Sequence, residues 1–187
     1  MYKIDDITII DNFLEKRTFL KLVNYVGSDM MMWRVGKGHT ESDESTEMLV
    51  DHKHDWVTYN KLFERKTKNQ RLQYEFLIKP FTEILGVSDE NVLRAMMIAE
   101  FCKENPYKLA WHLDVKGKLV GNGMTAVYYY NTNNGKTVFK NGHEVESVAN
   151  RIVIFPNDWH HTGQYQTDMP VRYVLNLNWA LDKSSEP

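Results

Sequence analysis

The chain has 187 residues, 42% hydrophobic and 26% charged, with 23 Lys and Arg against 25 Asp and Glu for a formal charge of −2. That is the length of one domain around one core; no apolar run reaches the ~20 residues of a membrane span, and no basic excess exists to hold a phosphate backbone. The single cysteine, Cys102, excludes an internal disulfide, and with no basic-then-apolar leader after Met1 a cytoplasmic protein is expected.

Residues 7–14 read as a short strand entering a turn. From Glu15 to Val26, apolar residues at Phe19, Leu20, Leu22, Val23 and Val26 share one helical face, and Gly27 is placed to end that helix. Residues 30–35 are a candidate strand. The polar stretch 36–55 reads as a loop, of a length that suits a substrate lid. Helical periodicity returns over 56–66 and 70–85, and Pro80 should kink or split the second run. From Val92 the pattern changes to candidate strands at 94–101, 108–113, 124–130, 136–139, 143–146, 151–155 and 171–179. Between them stand Asn122-Gly123, Asn134-Gly135 and Asn141-Gly142, pairs that suit the positive φ of tight hairpins. The expected fold class is α+β, mainly β, in a single domain over 1–187. Residues 1–90 supply an N-terminal strand and supporting helices, and 91–180 an antiparallel core.

Seven histidines are candidate ligands or bases: His39, His52, His54, His112, His143, His160 and His161. On a strand, residues two apart face the same way, so His112 and Asp114 can aim an imidazole and a carboxylate at one point. His39-Thr40-Glu41 repeats the pattern in a glycine-flanked polar loop and reads as solvated, as do His52 and His54. One further histidine would complete two imidazoles and a carboxylate, the set that binds non-haem Fe(II) on one side and leaves positions open. His160 and His161 compete for that place, and Thr162-Gly163 and the spacing to Arg172 favour His161. In the last strand Arg172, Val174, Asn176 and Asn178 share one face, while Tyr173, Leu175, Leu177 and Trp179 share the other. The first set suits the wall of a polar pocket, where the planar fork of Arg172 could pair with a carboxylate. Tyr128 and Tyr130 read as outer-face packing, Met30 to Met32 as adaptable packing, and Cys102 as a buried thiol.

Taken in order, His112-Leu113-Asp114, Tyr128-Tyr129-Tyr130-Asn131, Gly135-Lys136-Thr137-Val138-Phe139, Phe155-Pro156, His161-Thr162-Gly163 and Arg172 resemble the Fe(II)/2-oxoglutarate-dependent dioxygenases. The resemblance is to the prolyl 4-hydroxylase-like branch and covers about Leu93 to Trp179. It implies a double-stranded β-helix (jelly-roll) core with the N-terminal helices packed on one sheet. It also implies Fe(II) on His112, Asp114 and His161, and 2-oxoglutarate held by Arg172 with Tyr129 and Thr137. The implied reaction hydroxylates a peptide or small-molecule substrate, a peptidyl prolyl residue among the candidates. Succinate and CO2 are released, and ascorbate is a candidate reductant. The chain departs from the branch at Arg172, where lysine is frequent, at Asn178, where tryptophan is usual, and at Phe101, where a tyrosine is common. The competing reading is a non-catalytic or differently metallated cupin-like binding module, which would not need Arg172. A nucleic-acid demethylase is disfavoured by the charge and by the lack of a second arginine on the Arg172 strand.

Overall fold

The structure is a computed structural model that describes residues 2–4, 6–37, 56–64 and 71–181. In chain order the elements are β1 (Tyr2–Ile4), β2 (Ile7–Ile10), α1 (Lys16–Val26), β3 (Arg34–Lys37), β4 (Trp56–Glu64), α2 (Arg71–Leu77), α3 (Lys79–Leu85) and β5 (Val92–Phe101). Then follow β6 (Gly123–Tyr129), β7 (Lys136–Phe139), β8 (Glu144–Glu146), β9 (Arg151–Pro156), β10 (His161–Gln164) and β11 (Val171–Ala180). An eight-stranded sheet runs β1-β2-β9-β6-β11-β5-β4-β3, and a three-stranded sheet runs β10-β7-β8. Every pairing between these strands is antiparallel.

Strand periodicity decides what each face of the large sheet does. Tyr128, Leu175, Leu177 and Trp179 pack with Leu22, Val26, Leu77 and Phe81 of the three helices in one apolar cluster. Ile98, Val127, Tyr129, Val153 and Val174 face the other way and pack with Phe139 and Val145 of the small sheet. The expected split of β11 into an apolar and a polar face is therefore observed. Tyr128 and Tyr130 lie in the helix-side cluster as expected.

Several local expectations are corrected. Residues 56–66 were expected to be helical, but 56–64 form β4, pairing with β5 from Thr58↔Ala99 onward. Thr58, Asn60 and Leu62 are buried at period two; sheet pairing overrides a helical spacing in a short segment. Residues 108–113 do not form a continuous strand. Only the isolated bridges Lys108↔Gln164 and His112↔His161 tie them to β10. Of the three Asn-Gly pairs, only Asn141-Gly142 uses positive φ, at +94° in the β7–β8 hairpin. Cys102 is exposed. In residues 30–32 only Met31 is buried.

The second helical run splits where Pro80 requires it, with Pro80 in the first turn of α3. There the missing N–H costs nothing. Glu15 caps α1 by accepting from the Thr18 N–H, and Gly27 ends it. No helix among the described residues is long and apolar enough to cross a membrane. His39, His52, His54 and most of the 36–55 stretch lie outside the described residues.

Candidate metal centre

His112 and His161 are brought together by main chain. The His112 N–H donates to the His161 carbonyl at 3.0 Å, and the His161 N–H donates back at 3.2 Å. The two rings therefore project side by side, with centroids 4.6 Å apart. In each ring Nδ1 lies 3.1 Å from the carbonyl two residues earlier, Ala110 for His112 and Trp159 for His161. A proton on Nδ1 satisfies that carbonyl and leaves the Nε2 lone pair free to coordinate. Asp114 completes the group, with Oδ1 3.8 Å from His112 Nε2 and Oδ2 3.7 Å from His161 Nε2. One ligand atom from each residue lies within 4.8 Å of the others. His160 is half-buried outside this group.

The donor set fits a divalent transition metal. Two imidazoles and a carboxylate meet at one point and leave its far side open. Among the described residues His161 Nε2 is buried without a hydrogen-bond partner, a state that native proteins avoid unless the atom has a ligand. Burial, reinforced by the facing His112 and opposed by Asp114, lowers the His161 pKa to about 4, so the ring is neutral at pH 7. Burial alone would raise the Asp114 carboxyl. The Arg94 guanidinium, then His161, His112 and the Asn178 amide, bring it below the usual carboxylate range instead.

Two donors hold Asp114. Arg94 Nη1 donates to Oδ1 at 3.1 Å and Asn178 Nδ2 to Oδ2 at 3.2 Å. Arg94 and Asn178 are cross-strand partners on β5 and β11. Asn178 is fixed in turn by donating to Thr125 Oγ1 at 2.9 Å.

From the two histidines a cavity runs inward between the sheets, past Val127, Val174 and Asn176, to Thr137 and Arg172. The guanidinium carbon of Arg172 lies 5.5 Å from the Tyr129 ring centre. The Tyr129 hydroxyl donates to Thr137 Oγ1 at 2.7 Å. Arg172, Tyr129 and Thr137, singled out in the sequence, are thus gathered at one end. Phe101 is 56% exposed at the end of β5 and does not line the cavity.

Sequence reasoning missed Glu100, Ser147 and Arg94. Arg172 Nη1 donates to Glu100 Oε2 at 2.6 Å, and Nε donates to Ser147 Oγ at 2.8 Å. Parity was the available signal: Arg94, Met96, Ile98 and Glu100 alternate along β5, so the charges at its two ends share the inward face.

No family model matches the chain, and no curated protein matches it. Solved structures do. A prolyl hydroxylase from Trichoplax adhaerens, in complex with a hypoxia inducible factor oxygen degradation domain peptide fragment, superposes with a TM-score of 0.59 at 14% identity, covering 97% of this chain and 88% of that one. An oxidoreductase of the 2OG-Fe(II) oxygenase family from Burkholderia pseudomallei gives 0.62 at 8% identity, covering 94% and 85%. A Pseudomonas putida prolyl-4-hydroxylase gives 0.56 at 11%, covering 95% and 93%. The chain has the jelly-roll fold that these 2OG-Fe(II) oxygenase and prolyl hydroxylase structures share.

Proposed function

We propose that this chain is an Fe(II)- and 2-oxoglutarate-dependent dioxygenase that hydroxylates a peptide or small-molecule substrate. One observation carries the reading: His112, Asp114 and His161 converge at the mouth of a cavity whose inner end holds a buried arginine. His112, Asp114 and His161 would hold the metal, and Arg172, with Thr137 and Tyr129 beside it, would receive the far carboxylate of the co-substrate. Together, bound iron and 2-oxoglutarate supply O2 activation: 2-oxoglutarate, O2 and a C–H bond give succinate, CO2 and a C–OH. The chain's own contribution is positional. Backbone carbonyls orient both imidazoles, Arg94 and Asn178 keep Asp114 ionised and aimed, and Val127 and Val174 supply apolar wall between the histidines and the arginine. The peptide in the Trichoplax adhaerens structure supports peptidyl proline as the first substrate class to assay.

The test is anaerobic. Fe(II) and then 2-oxoglutarate are added to metal-free protein, and the visible charge-transfer band of a chelated 2-oxo acid is followed. The band is expected in the wild type and absent in His112→Ala. Metal binding without such a band, and without succinate formation in air, would overturn the reading and leave a jelly-roll metal-binding module.

A further inference from the structure

The arginine at the inner end of the cavity already has an anion. Arg172 and Glu100 are directly opposed in the β11–β5 register. Their side chains are 2% and 5% exposed, and they meet at 2.6 Å. Two glycines leave room for the pair. A Cβ on Gly163 would lie 3.3 Å from Glu100 Oε1 and 3.5 Å from Arg172 Nη1, and one on Gly135 would lie 3.1 Å from Arg172 Cδ. Thus the inner end carries no net charge from this pair, although a dicarboxylate would have to place its second carboxylate there. Like charges set side by side in a buried site disfavour each other.

Resting on the co-substrate reading above, we propose that Glu100 is a specificity-determining residue of the pocket. It is a tethered carboxylate that competes with the distal carboxylate of a 2-oxo acid for Arg172. The distal carboxylate of 2-oxoglutarate therefore adds little affinity in this protein, and a 2-oxo acid with an uncharged far end binds nearly as well.

Calorimetric titration of the Mn(II)-loaded protein tests this, with 2-oxoglutarate and with 2-oxopentanoate, which carries a methyl group in place of the distal carboxylate. Glu100→Gln keeps the shape and an oxygen acceptor for Arg172 but removes the charge. The variant should bind 2-oxoglutarate at least about tenfold more tightly than the wild type, with the affinity for 2-oxopentanoate nearly unchanged. Equal or weaker binding of 2-oxoglutarate by Glu100→Gln would overturn the proposal, because Glu100 would then only orient Arg172. Should the variant not fold, as judged by lost Mn(II) binding, the wild type decides alone. A preference for 2-oxoglutarate over 2-oxopentanoate below about tenfold supports the proposal, and a larger one overturns it. Binding of neither acid by either Mn(II)-loaded protein would instead bring down the co-substrate reading, and this proposal with it.

Discussion

Asn178 shows how one side chain serves both fold and site. Its amide donates to Thr125 within the sheet and to Asp114 at the candidate metal centre. Among the described residues, an apolar side chain at this position would leave Asp114 with Arg94 alone as a side-chain donor. Outer-shell partners of this kind typically tune metal affinity by 10–100-fold. Asn178→Ala is accordingly expected to weaken divalent metal binding by about that factor, read by competition with a chromogenic chelator. Unchanged affinity would mean that Arg94 suffices to hold the carboxylate.

Among the elements, the segment between β2 and α1 is tied to the core by Arg151 of β9, which donates twice to Asp11, and by Asn150 of the β8–β9 connection. Asn150 sits at φ +62°, a left-handed conformation that asparagine tolerates better than most side chains. Its Oδ1 accepts from the Leu14 N–H at 2.9 Å and from the Tyr128 hydroxyl at 2.8 Å. Its Nδ2 donates to the Leu14 carbonyl at 2.9 Å, and its own carbonyl accepts from the Phe13 N–H. Phe13 then stacks on Phe81, with ring centres 5.9 Å apart, which joins this segment to α3. Asn150→Ala loses three side-chain hydrogen bonds and strains the backbone, for a loss of about 2–4 kcal/mol. Asn150→Gly relieves the strain alone and should fall between Ala and the wild type. Urea denaturation midpoints check the order.

At the scale of the whole molecule, the helix-side core buries tyrosines that must stay protonated. Burial raises Tyr128 and Tyr130 well above the usual phenol value of 10.0, and Tyr74 too, with help from Asp89. Tyr129, on the opposite face, is raised by burial as well. Below pH 10 both folded and unfolded states keep these protons, and the stability is fully present. Above pH 10 the unfolded chain releases them while the folded chain holds them, so stability falls as pH rises. Denaturation midpoints should decline above pH 10, with phenolate absorbance from these residues appearing together with unfolding. Phenolate formation at pH 10 in the still-folded protein, by all tyrosines at once, would contradict this.

Much of the site was legible because it obeys short-range rules. The alternation of β11 into a helix-side face and a cavity face follows from strand geometry, whereas His112 and Asp114 converge although only an isolated bridge, not a strand, holds His112. The likeness of the ordered motifs to the dioxygenases likewise pointed to the jelly-roll core that the structure shows. Tertiary structure decided what depends on register and distant pairing. Sheet formation with β5 made 56–64 a strand, because a short segment takes the conformation its neighbours can hydrogen-bond. The β5–β11 register set Glu100 against Arg172 and Arg94 against Asn178. A shift of one residue would turn those side chains to the opposite face, and no local pattern in β5 reports which residue of β11 it will meet. The chain thus determined by itself which chemical groups are present and which way they alternate. The fold alone determined which charges neutralise each other inside the cavity.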